Sequence, residues 1–312
     1  MNKIFFALLI VLCSGSLLFA QGGGFFLRAG MGYGFPQAGQ TMDNTGFPLN
    51  GSMTNAGNGD VVYNLKSTSF SSGMQGEIGM GYMFNKYIGL ELDMAIGLAN
   101  TKYTGSQNNV MFDSVTQGNI NVTQYAQTPI LLMPCFVLQN GGLRYNIYAR
   151  AGLVLPVSTK IKQEQGITYN PGTSVQEIDI YSSELKNSFS LGFTGAVGVQ
   201  YNLTGNTSIW GEVDLLSMSL YASEDDLTEI TVTQYGMTTA YPASSVPPNQ
   251  PVAIKYGKNV TIPAGTNGTP QPSYALPFSN VGVHFGVTMK FAHHNYNKGR
   301  DTTPRHYSRG RG

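Results

Sequence analysis

Charge is what this chain has least of. Asp, Glu, Lys and Arg make up 11% of its 312 residues, against roughly 25% in an average soluble domain. That scarcity argues against an ordinary cytosolic enzyme and against a coiled coil, whose flanking positions are charged. Tryptophan occurs once and cysteine twice, at Cys13 and Cys135. Beyond residue 20 no stretch approaches the run of about 18 apolar residues that a membrane-crossing helix needs. Yet 41% of the residues are hydrophobic, which excludes a disordered chain. Glycine is abundant, with 39 residues, and Tyr and Phe contribute 18 and 16. This composition fits a β protein with small residues at crowded positions.

The net charge of +1 conceals a segregation. Lys3 stands in the first segment, and Lys298, Arg300, Arg305, Arg309 and Arg311 crowd the end against Asp301. The body between is acidic, so no nucleic-acid partner is expected. Residues 1–20 read as an export signal, with Lys3, an apolar stretch from Ile4 to Leu12, and cleavage after Ala20. Cys13 lacks the small residue that lipoprotein processing wants before it. After cleavage Cys135 is alone, so no intramolecular disulfide can form.

From residue 24 onward the period of hydrophobicity is two. Segment 24–35 sets Phe25, Leu27, Met31, Tyr33 and Phe35 against Arg28 and glycines. Segments 73–84, 87–98, 143–157, 189–201 and 281–291 alternate in the same way. Segment 209–220 begins cleanly, but its parity slips at Leu215 and Leu216, as a bulge would produce. Segment 128–138, with Pro129, Pro134 and apolar residues on both parities, is poorly specified. The links between these eight segments alternate: 36–72, 99–127, 158–188 and 221–280 are long, whereas 85–86, 139–142 and 202–208 are short. Long links on one side and tight turns on the other are the pattern of a transmembrane barrel, and four long loops are improbable inside a compact soluble domain. The expected fold is all-β: an eight-stranded antiparallel up-and-down transmembrane barrel with four long extracellular loops and short periplasmic turns. It would occupy 21–292, leaving 293–312 as a basic tail, either a disordered extension or a periplasmic arm.

An aromatic girdle is expected near the short-turn end from Phe25, Tyr82, Phe84, Tyr87, Tyr145, Tyr201, Trp210 and Phe291. There is also an internal echo: Asn85, Ile88, Glu91 and Asp93 recur as Asn206, Ile209, Glu212 and Asp214.

With its 84–91 hairpin, its segment 148–153 and its final strand, the chain resembles the eight-stranded outer-membrane barrels of the OmpA, OmpX and OmpW type. The final strand is similar to their assembly signal, here carried by His284, Gly286, Met289 and Phe291. The resemblance implies an outer-membrane location, contact with outer-membrane lipid and lipopolysaccharide, and recognition by the barrel-assembly machinery. A protein partner at the loops or the tail is a further expectation. Unlike such barrels, which end at the final aromatic residue or continue into a folded domain, this chain continues through 292–312.

By parity the lumen would hold Arg28, Glu77, Glu91, Asp93, Arg150, Glu212, Asp214 and His284, with Arg144 and Lys290 at the short-turn rim. Two deep Arg against five carboxylates cannot pair one to one. Either each Arg bridges several acids or an acid keeps its proton. The strand order would set Arg28 opposite Arg150 and Glu91-Asp93 opposite Glu212-Asp214. This network reads as a structural plug, or as a gate in which an Arg exchanges carboxylates to open a water path. His284 is the only strand histidine and faces inward, His293, His294 and His306 fall in the tail, and no helix follows the glycines at 30–34. No catalytic residue, metal or cofactor is therefore expected. Two functions stay open: a structural and surface-interaction barrel, or a narrow pore or OmpW-like transporter of small solutes.

Overall fold

The period-two segments form strands almost throughout the computed structural model, which describes residues 24–37, 42–43, 45–56, 58–242, 253–258 and 270–291. The proposed leader, its cleavage site and the 293–312 tail lie outside the described residues. In chain order the strands are β1 (Gly24–Pro36), β2 (Gly51–Asn55), β3 (Val61–Leu65), β4 (Gly73–Met83), β5 (Ile88–Asn100), β6 (Tyr103–Met111), β7 (Gln117–Ala126), β8 (Ile130–Gln139), β9 (Tyr145–Ser158) and β10 (Ile161–Tyr169). They continue with β11 (Glu177–Ser188), β12 (Gly192–Asn202), β13 (Thr207–Ser217), β14 (Ser219–Gln234), β15 (Met237–Pro242), β16 (Ala253–Gly257), β17 (Gln271–Pro272), β18 (Ala275–Pro277) and β19 (Asn280–Phe291).

Eight of them close a barrel in the order β1-β19-β13-β12-β9-β8-β5-β4. Each neighbour is antiparallel, and β1 shuts the ring by pairing with both β19 and β4. Seven of these are the segments whose alternation is visible in the sequence, the eighth is the poorly specified segment at 128–138, and the connectivity is up-and-down. Side chains alternate across the wall: Phe25, Leu27, Met31 and Tyr33 point outward and are exposed, whereas Phe26 and Arg28 point inward and are buried.

Most of the described residues of the long links do not form loops but a second sheet, in the order β17-β16-β14-β11-β10-β7-β6-β2-β3, with β15 and β18 also on β14. Barrel strands run straight into it. Two residues separate β5 from β6 and β9 from β10, and Met218 alone separates β13 from β14. These hairpins escape a search for apolar alternation because neither of their faces needs an apolar stripe. β10 reads IKQEQGITY and is mostly half-buried on both sides.

Two local expectations change for one physical reason. No bulge exists at Leu215-Leu216: the register of β13 runs unbroken against both β12 and β19. Trp210, Glu212, Leu216, Met218 and Leu220 all face inward and are buried or nearly so, while Leu215 faces outward. What changes at Leu216 is the chemistry of the interior, from polar to apolar. The same change explains the first half of β8, where Leu131 and Met133 line the apolar part of the interior; Cys135 and Val137 also face inward, but beside Glu91 and Arg150, while Phe136 and Leu138 face outward.

Candidate functional site

The lumen is layered along its axis. At the short-turn mouth lies a vestibule of about 290 Å³, lined among others by Phe26, Gln139, Asn146, Lys290 and Phe291. Beyond it the space narrows to a pocket of about 30 Å³ bounded by Arg28, Tyr148, Gln200 and Trp210. A third pocket, of about 10 Å³, lies beside Glu77, Arg150, Asp214 and His284. The last two are no larger than one or a few waters.

Between these spaces sits the charge network. Arg28, from β1, sits over the Trp210 ring, with its guanidinium carbon 3.5 Å from the ring centroid. It pairs with Glu212 at 2.5 Å and approaches Glu77 and Glu91 at 3.8 and 3.9 Å. Arg150, from the opposite wall on β9, reaches Glu77 at 2.9 Å, Glu212 at 2.5 Å, Glu91 at 3.4 Å, and Asp93. Glu212 thus bridges both guanidinium groups and also accepts a hydrogen bond from the Tyr148 hydroxyl at 2.8 Å. Asp214 meets neither Arg in a salt bridge. It faces Nδ1 of His284 at 3.5 Å, and Glu77 lies 3.7 Å from the same nitrogen. The two Arg therefore do not hold separate quadrants; they converge on shared acids across the lumen.

Glycine makes room for this packing. A methyl group at Gly32 would overlap the His284 imidazole, one at Gly79 the Asp93 carboxylate, and one at Gly30 or Gly286 the indole of Trp210. Trp210, His284 and Asp93 each lie opposite one of these glycines on a neighbouring strand. The lumen is filled by side chains at close packing rather than left as a channel.

Toward the long-link end the filling becomes apolar. Leu131, Met133, Val154 and Leu216 from the barrel cluster with Phe70, Leu276 and Phe278 from the links. The inturned backbone is satisfied locally. The Phe70 amide donates to the Pro277 carbonyl at 2.9 Å, and the Tyr103 hydroxyl donates to the Ser69 carbonyl at 2.9 Å. Asn280 Nδ2 and Gln75 Nε2 donate to the Ser71 carbonyl at 2.9 and 2.5 Å. Phe70 and Phe278 are essentially inaccessible to solvent. Alternation in the sequence does not announce this cap. Its only trace in the sequence is a lone Phe70 within a run of Ser and Thr.

Two placements are corrected. Trp210 is not in the outer girdle: it is 4% exposed and faces the lumen. Its parity with Glu212 requires this, whatever its ring would prefer at a membrane surface. Arg144 lies outside the wall, where its Nη2 donates to the Tyr201 hydroxyl at 2.9 Å. Phe25, Phe84, Tyr87, Tyr145 and Phe291 are exposed around the short-turn rim, with Tyr82 and Tyr201 among them. Ring contacts join Phe25 to Tyr82 at 4.8 Å and Tyr145 to Tyr201 at 5.1 Å. On β19, His284 points into the lumen while Met289 and Phe291 point outward. Lys290 lines the vestibule.

A model of the outer membrane protein beta-barrel domain family matches residues 6–241. Among solved structures, the crystal structure of the outer membrane protein OprG from Pseudomonas aeruginosa is 11% identical, covering 88% of this chain and 99% of that one, with a TM-score of 0.37. The solution structure of Outer Membrane Protein W from E. coli is 14% identical, covering 86% and 98%, with a TM-score of 0.35. No curated protein matches the chain.

Proposed function

The chain belongs to the outer membrane protein beta-barrel domain family, and from that premise we propose that it is a closed, non-conducting barrel whose work is done by its extracellular sheet. The barrel anchors and stiffens the outer membrane; the sheet built from the long links is the surface it offers to partners. The observation that carries this reading is the filled lumen. A charge network and an apolar cap follow one another along the axis, and the spaces beside the charges are of about 30 and 10 Å³.

In this reading the exposed apolar wall and the aromatic rim contact lipid and lipopolysaccharide, and the β19 motif ending at Phe291 is what the assembly machinery reads. The links face outward and the short turns face the periplasm. His284 serves the plug as a partner of Asp214 and Glu77 rather than as a catalytic acid or base. The leader before Gln21 is removed on export.

Purified protein in planar bilayers tests the closed state. The expected result is a flat current at moderate voltage. Reproducible discrete single-channel steps would overturn it in favour of a narrow pore, with exchange of acids around Arg150 as the gate.

A further inference from the structure

The second sheet ends in an open edge. Among the described residues β3 pairs only with β2. All five of its residues are exposed, Val62 at 58% and Tyr63 at 47%. Such edges are usually blunted by charge, proline or a bulge within the strand. Val61-Val62-Tyr63-Asn64-Leu65 has none of these.

The hairpin bonds say which backbone groups are free. The Ala56 amide donates to the Asp60 carbonyl at 2.8 Å, and the Lys66 amide donates to the Asn50 carbonyl at 3.1 Å. Hydrogen bonding alternates along an antiparallel pair. Val62 and Asn64 therefore bond toward β2, while the amides and carbonyls of Val61, Tyr63 and Leu65 point away from the sheet.

This edge is complementary to itself. Two copies of β3 aligned antiparallel about Tyr63 place Tyr63 opposite Tyr63, Val61 opposite Leu65 and Val62 opposite Asn64. The outward backbone groups then form about six hydrogen bonds. On one face Val, Tyr and Leu meet as cross-strand pairs. The flanking residues complete the match: Asp60 of each copy falls opposite Lys66 of the other, in the closer, non-hydrogen-bonded kind of pair. Asp60 and Lys66 are both exposed. A partner of unrelated sequence would have no reason to satisfy both ends of the strand with opposite charges.

We infer that β3 is a homophilic docking strand, and that its partner is the β3 edge of a second copy of this chain. The chain direction sets the geometry of the contact. β5 and its continuation β6 run away from the short turns, β2 is parallel to β6, and β3 is antiparallel to β2. β3 thus runs back toward its own barrel, and antiparallel pairing opposes the two barrels. The contact joins molecules in two membranes that face each other, not neighbours in one. The inference rests on the extracellular placement of the sheet proposed above, but it does not depend on whether the lumen conducts.

Disulfide trapping of refolded full-length protein in detergent tests the register, in a Cys135→Ser background. Tyr63→Cys should give a covalent dimer under mild oxidation. Val61→Cys alone should not, because its two copies would lie roughly 13 Å apart along the strands. A mixture of Val61→Cys and Leu65→Cys should crosslink. Asp60→Lys should weaken dimerisation of the otherwise native chain roughly tenfold, since two exposed ion pairs become like-charge contacts. Adding Lys66→Asp should restore it. Heat-modifiable migration reports the folded state of each variant. Liposomes carrying the protein should cluster, and those carrying Asp60→Lys should not. Equal crosslinking at 61 and 63, a native chain that is monomeric at all concentrations, or dimers confined to single vesicles would overturn the proposal. Capture of a different protein at residue 63 in cells would also overturn it.

Discussion

Replacing Arg150 with Ala removes the cation on which the plug depends most. Its guanidinium serves four buried carboxylates, Glu77, Glu91, Asp93 and Glu212. Three of these keep Arg28 within 4.0 Å, but Asp93, which is fully buried, has no other salt-bridge partner among the described residues. Removing one member of a buried ion pair costs about 3–5 kcal/mol, because the remaining charge is left uncompensated. The expected loss for Arg150→Ala lies in that range. Arg150→Ala with Asp93→Asn should recover part of it, since the acid left without any cation is then neutral. Arg150→Lys should fall between, as one ammonium cannot spread over the same acids as a planar fork. Reversible urea unfolding of the refolded barrel gives these values. Trp210 is the only tryptophan and lies against Arg28 inside the lumen, so its fluorescence reports on the plug directly. An Arg150→Ala barrel within about 1 kcal/mol of wild type, with its current in planar bilayers also unchanged, would refute the assignment of this network as the structural plug.

Four further outcomes follow from the same geometry. Gly32→Ala should destabilise the barrel by about 1–3 kcal/mol in the same assay, because the added methyl overlaps the His284 ring. Phe291→Asp should reduce the heat-modifiable folded fraction far more than deletion of 293–312, because Phe291 closes the β1–β19 pairing opposite Phe25. In a Cys135→Ser background, a membrane-impermeant maleimide should label intact cells at Asn55→Cys but not at Lys86→Cys or Asn140→Cys; the reverse pattern would invert the topology. Burial raises the Asp225 carboxyl above its ordinary range in the second sheet. Its ionised form therefore disfavours folding at neutral pH, and that penalty fades as pH falls toward the ordinary carboxylate range. Asp225→Asn should accordingly raise the melting temperature at pH 7, with the gain disappearing near pH 4.

The sequence alone determined the barrel. Alternation at period two marks seven of the eight barrel strands, because each wall residue must choose between an apolar outside and a polar or crowded inside; β8, apolar on both faces, is legible only from its place between two links. The rhythm of long and short links then sets their up-and-down order. The same parity places Arg28, Glu77, Glu91, Asp93, Arg150, Glu212, Asp214 and His284 on inward positions, and it places Trp210 there too once its ring is ignored in favour of its register. Tertiary structure decided what parity could not express. Parity assigns a side, not a depth or a partner, so it could not show two Arg from opposite walls sharing Glu77, Glu91 and Glu212. Nor could it distinguish a bulge at Leu216 from an interior that turns apolar, because the two leave the same mark on the chain. The cap around Phe70 and Phe278 joins segments some two hundred residues apart, and the second sheet is built largely from strands whose alternation is too weak to announce them. Both form because neighbouring barrel strands carry their hairpins past the rim side by side, where unpaired backbone groups find one another; only the closed ring brings them that close.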